Sequence, residues 1–127
     1  MTESLNDITT REDVVRMVDA FYGRVNEDGL LSPIFNDFAG VNWEHHLPQM
    51  YDFWANILLG DMSYRGRPFP KHIPLPISKP HFERWLQLFK ETVDAHFVGS
   101  KANEAKQRAQ SIATIFEHKL SIIRNFQ

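Results

Sequence analysis

Four side chains in this sequence of 127 residues are of types that could do chemistry: Tyr22, His46, His72 and Trp85. His72 lies in Phe69-Pro-Lys-His-Ile-Pro-Leu-Pro76, with Pro68 and Pro70 before it and Pro74, Pro76 and Pro80 after it. Prolines at this density exclude a long helix and bias the residue before each toward extended backbone. The expectation is a loop or a turn-length helix that restricts the direction of one imidazole. An imidazole neutral near pH 7 keeps one lone pair, so His72 could serve as an axial ligand. The plain alternative is a surface histidine beside a lysine. Arg65, Arg67 and Lys71 form a small positive cluster around it, either a solvated loop face or an anchor for an anionic ligand group.

The other three residues sit on long helical periods. Tyr22 ends a stripe of Val14, Val18, Phe21 and Val25, opened by Thr10 with Asp13 in the first turn and closed by Asp28-Gly29. An inward phenol there needs a partner for its hydroxyl. His46 belongs to the period 42–59, with Asn42 as N-cap and Gly60 as terminator. One stripe of that helix runs Trp43, Leu47, Met50 or Tyr51, Trp54 and Leu58. A second line, His46, Met50, Phe53 and Ile57, puts an imidazole one turn before a thioether and two turns before an aromatic ring. His45 points elsewhere, to solvent. Trp85 lies on a third period that begins after Pro80 and includes Phe82, Leu86, Phe89 and Val93; its indole N–H needs an acceptor if buried. For each residue the ordinary alternative is a satisfied core group.

Between these periods the chain is less regular. Residues 1–9 read as a loose leader. Leu30 to Phe35, interrupted by Pro33, reads as a single helical turn at a corner that buries Phe35 and Phe38. After Gly99-Ser100 a last helix, roughly 101–123, carries Ala105, Ala109, Ile112, Phe116, Leu120 and Ile123. Its small residues permit close approach to another helix and its larger ones fill volume. No strand-like alternation occurs, so the expected class is one all-α domain with an irregular stretch in its middle.

Composition removes several function classes. The formal charge of −2, with scattered Lys and Arg, leaves no footprint for nucleic acid. The absence of cysteine excludes disulfides, thiol catalysis and thiolate ligands. The polar, acidic start and the lack of an 18-residue apolar run predict a cytoplasmic protein without a membrane segment. Ten Phe and three Trp are many for this length, and some of those rings could pack against something other than each other.

From about residue 10 to residue 124 the chain resembles the truncated haemoglobins, most closely group III. The resemblance rests on Phe21-Tyr22, Pro33-Ile-Phe35, Trp43-Glu-His-His46 with Phe53-Trp54 downstream, His72 in Lys-His-Ile-Pro-Leu-Pro, and Phe82-Glu-Arg-Trp85. The paired glycines usual near the first corners of groups I and II are missing, in agreement with group III. The resemblance implies a truncated globin fold over residues 10–127, a two-over-two helical sandwich around haem b. It implies His72 as the iron's proximal ligand, Phe35 as a ring on the haem face, and Met50 and Phe53 as distal apolar wall. Tyr22, His46 and Trp85 become the distal polar residues, with His46 as a mobile gate. Arg67 or Lys71, which both flank His72, is the expected partner of the haem propionates.

The function implied is reversible binding of dioxygen, nitric oxide or carbon monoxide at a five-coordinate iron, by a monomer or weak homodimer. Peroxidase-like or nitric-oxide dioxygenase turnover through the same iron would draw electrons from a separate reductase, since no flavin or nicotinamide domain is read here. Whether the protein is an enzyme is left open on these residues. The competing class is a cofactor-free helical interaction module.

Overall fold

The structure is a computed structural model and describes residues 5–125 except 63, 65 and 67. Four helices carry the fold: α1 (Arg11–Glu27), α2 (Trp43–Leu59), α3 (Lys79–His96) and α4 (Ser100–Asn125). A π-helical turn, Ile34–Phe38, bridges α1 and α2, and a 3₁₀ turn, Pro70–His72, stands between α2 and α3. Helix α1 packs on α2 and α3, and α3 packs on α4, so two helix pairs face each other.

Helix boundaries follow local chemistry. Thr10 accepts from the Asp13 amide, and the Asp13 carboxylate accepts from the Thr10 amide, a reciprocal cap that opens α1. Gly60 ends α2 in the left-handed region, at a φ of 74° that a side chain would disfavour. Helix α3 starts earlier than its period suggests. Ser78 is the N-cap, its amide donating 3.1 Å to His81 Nδ1, and Pro80 sits inside the first turn, where its missing N–H costs nothing. Asn42 caps α2 by position only, without a side-chain hydrogen bond.

Two expectations are corrected. Residues 6–9 are not a loose leader: Ile8 is fully buried, and Val98 donates its amide to Asn6 O at 3.0 Å. Asp7 caps α4 from across the chain, accepting from the amides of Lys101 at 3.0 Å and Ala102 at 2.8 Å. Gly99 makes that approach feasible, because a Cβ there would lie 2.5 Å from Asp7 Cγ. The cap is a tertiary contact spanning the domain, so no local period reveals it. Phe38 is the second correction. It is 65% exposed, because the π-helical turn directs Ile34 inward and leaves Phe38 at the domain surface.

Asp28 does more than close α1. Its buried carboxylate accepts from the amides of Leu30 and Leu31 and from Arg84 Nε at 2.7 Å, joining the corner to α3. Burial alone would raise its pKa; those hydrogen bonds and the guanidinium outweigh burial and hold it below 3.8. Asp7 behaves likewise, with burial opposed by the Lys101, Ala102 and Ile8 amides. A carboxylate with a folded-state pKa below its unfolded value contributes stability above 3.8 and loses it as pH falls through the folded value. Asp7→Ala is therefore expected to lower stability by about 1–2 kcal/mol at pH 7. Urea unfolding should show the gap to the parent closing below pH 3.8, and a gap independent of pH would contradict the cap.

Candidate cofactor site

A cavity of about 580 Å³ opens between the helix pairs and the Pro70–His72 turn, within the size range of small-molecule sites. Tyr22, Phe35, His46, Met50 and Phe53 line it from α1, the corner and α2. Lys71 and His72 line it from the proline stretch, and Trp85 from α3. Arg67 and Arg65 lie outside the described residues. One cavity thus collects these candidates, with Tyr22 and Trp85 63 positions apart in the chain, on elements the helical periods place separately.

His72 is held in a definite chemical state. Its Nδ1 stands 2.7 Å from the carbonyl oxygen of Pro68, which can only accept, so Nδ1 carries the hydrogen and Nε2 keeps its lone pair. Burial keeps the imidazole below the usual 6.5, while the Pro68 hydrogen bond works in the opposite direction. The ring stacks edge-on against Phe116 of α4, with centroids 5.0 Å apart. A neutral imidazole with a fixed tautomer and a free lone pair is ligand chemistry.

On the opposite side, Tyr22 is almost wholly buried, and its hydroxyl lies 3.4 Å from His46 Nε2, a long contact. Burial pushes the phenol well above its ordinary pKa of 10, so it stays a donor at neutral pH. Burial also lowers the His46 pKa, with the Lys71 ammonium contributing repulsion, so that imidazole is neutral as well. The two tryptophans near this end differ in use. Trp43 spends its N–H on Asn36 Oδ1 at 2.9 Å, a structural bond. Trp85 has no acceptor among the described residues, and no side-chain polar atom there is both sealed and unsatisfied. Its N–H is thus an unused donor, and the space Trp85 lines is this cavity.

The donor set suits a particular kind of guest. Among the described residues no three His, Asp or Glu side chains gather to cage a metal ion. One imidazole lone pair, a lining dominated by rings and aliphatic side chains, and Lys71 at an exposed edge fit a flat apolar group that brings its own metal and carries anionic substituents. A metalloporphyrin has those properties. The exposed Phe38 also lines the cavity, which explains why a large ring remains uncovered by protein there. Sequence reasoning missed Phe116, Ile77, Tyr64 and His81 as lining residues. Phe116 falls on an ordinary core stripe of α4, and nothing in its spacing distinguishes a ring facing a cavity from one facing a helix.

Residues 5–120 match the family model described as bacterial-like globin. Over 114 residues the chain is 37% identical to the group 3 truncated hemoglobin ctb of Campylobacter jejuni, covering 87% of this chain and 90% of that protein. It is 32% identical over 106 residues to the group 1 truncated hemoglobin GlbN of Nostoc commune, covering 83% and 87%. The crystal structure of a group III truncated hemoglobin from Campylobacter jejuni superposes with a TM-score of 0.82 at 35% identity, covering 92% of this chain and 95% of that one.

Neighbouring residues of α1 should separate core from site. Phe21 is 1% exposed and packs on Tyr22, Trp85 and Phe89, so Phe21→Ala is expected to cost about 3–5 kcal/mol of stability. Tyr22→Phe removes only the long contact to His46 and should cost under about 1 kcal/mol. Urea unfolding of both variants checks the contrast; a Tyr22→Phe loss as large as that of Phe21→Ala would mark the hydroxyl as structural.

Proposed function

The chain belongs to the bacterial-like globins, on the group III branch of the truncated haemoglobins, and from that premise we propose that it binds diatomic gases reversibly at a haem iron held by His72. The cofactor is haem b, which when bound would supply an iron able to take up dioxygen, nitric oxide or carbon monoxide. The observation that carries the reading is the His72 imidazole, neutral, anchored through Nδ1 to the Pro68 carbonyl and bordering the cavity through which the gas would come.

The residues then divide into three tasks. His72 presents the Nε2 lone pair, and the Pro68 bond prevents the ring from turning it away. Phe35, Met50 and Phe53 exclude water from the gas-binding side, which strengthens any hydrogen bond made within it. Tyr22 and Trp85 supply O–H and N–H donors to a polar guest, held on long helices and therefore pre-organised. His46, only half-buried and joined to Tyr22 by a long contact, is free to move and acts as the gate. Lys71, exposed at the rim, would pair with a propionate and so contribute only about 0–1 kcal/mol.

Two measurements test this. The purified protein should show a Soret band, and His72→Ala should abolish stable haem retention or alter the spectrum markedly; unchanged haem content with an unchanged iron–histidine stretching band would remove His72 from its role. A hydrogen bond to a partly charged guest is worth about 1.5–3 kcal/mol, about tenfold or more in dissociation rate. Tyr22→Phe and Trp85→Phe should therefore speed oxygen release far more than carbon monoxide release, while His46→Leu should chiefly alter entry of both gases. Stopped-flow and flash-photolysis rates decide the assignment. Fast oxygen release from His46→Leu with parental release from Tyr22→Phe would reverse it.

A further inference from the structure

The proline stretch that carries His72 is short of backbone donors. Prolines at 68, 70, 74, 76 and 80 have no N–H, so the segment cannot satisfy its carbonyls by a helical ladder. What bonding it has is sparse: His72 N to Phe69 O, Ile73 N to Pro70 O, Leu75 N to His72 O and Ile77 N to Leu75 O. Donors for the remaining acceptor capacity come from solvent, to which much of the stretch is exposed, or from another element.

Arg124, in the last turn of α4, supplies two of them. Its Nη1 donates to Ile77 O at 2.5 Å and its Nη2 to Leu75 O at 2.9 Å. Two carbonyls two residues apart are spanned by one planar fork, a geometry that a guanidinium offers and an ammonium does not. Leu75 in turn donates its amide to His72 O at 3.1 Å, so the clamp is one hydrogen bond removed from the histidine backbone. Phe116, Leu120 and Arg124 recur every four residues, on one face of α4. Phe116 bears on the His72 ring, Leu120 packs in a cluster with Ile77 and Phe82, and Arg124 holds the loop. One face of α4 therefore braces the histidine ring and the strand of loop that follows it.

We propose that Arg124 is a positioning residue for His72: by clamping the Leu75 and Ile77 carbonyls it fixes the loop so that the imidazole keeps one orientation toward the cavity. This rests on the reading of His72 as the iron ligand, and the test separates the two. In the ferrous holoprotein, Arg124→Met should shift or broaden the iron–histidine stretching band and speed haem transfer to an acceptor globin by about tenfold. Amide exchange at Leu75 and Ile77 should rise while far-UV circular dichroism stays parental. Arg124→Lys, which keeps the charge but not the fork, should fall between Arg124→Met and the parent. If Arg124→Met does not accumulate folded, Arg124→Lys carries the same readouts. A parental band and transfer rate overturn the proposal, as does faster exchange spread along α4 with none at 75 and 77. His72→Ala discriminates the premise: a parental band in that variant removes the ligand reading, whereas its loss there beside a parental band in Arg124→Met removes only the role of Arg124.

Discussion

The ring of Phe89 holds this domain together. It is wholly buried on α3, stacked on Trp54 of α2 with centroids 4.8 Å apart and on Trp85 of its own helix at 5.7 Å, and met edge-on by Phe21 of α1 at 5.2 Å. Three helices thus converge on one side chain. Aromatic pairs have preferred offset and edge-to-face geometries, so the cluster sets helix orientation as well as burying area. The same rings end where the cavity begins: Trp54 and Trp85 both line it. The core and the wall of the site are continuous, and the site's shape depends on the packing behind it.

The side toward Phe116 is built on different physics. There the chain is irregular, proline-rich and poor in donors, and its order comes from a few internal hydrogen bonds and from ring and polar contacts made to it by α4. The Pro68 carbonyl holds the His72 ring, Phe116 bears on it, and Arg124 ties the following carbonyls to α4. The Tyr22 side, by contrast, rides on long helices whose caps are local and whose stripes are continuous. A site made of one stiff wall and one clamped wall leaves a gap between them for a flat cofactor while keeping donors in register.

Apolar packing and electrostatics are coupled at the corner as well. The Asp28 carboxylate is buried at the end of α1, where it serves two amides and the Arg84 guanidinium together. That cluster sets the angle at which the π-helical turn leaves α1, and with it the positions of Ile34 and Phe35 at the cavity. Phe38, on the same turn, is left without protein cover and belongs to the cavity's lining.

Much of the helical framework is legible in the residues alone. Thr10 with Asp13, Gly60, and the stripes through Phe21, Trp54, Phe89 and Ala109 locate four helices, because caps and 3.6-residue periods are local properties of the chain. The types of the candidate site residues are legible too: a proline-restricted histidine, and a tyrosine, a histidine and a tryptophan on apolar stripes. What local pattern could not supply is every relation that crosses the chain. The capping of α4 by Asp7, the exposure of Phe38, the unused N–H of Trp85 beside the used one of Trp43, and the reach of Arg124 to Leu75 and Ile77 arise only when distant segments meet. Periodicity reports which face of a helix is buried; it carries no information on which residue stands opposite, and hydrogen bonds are decided by that.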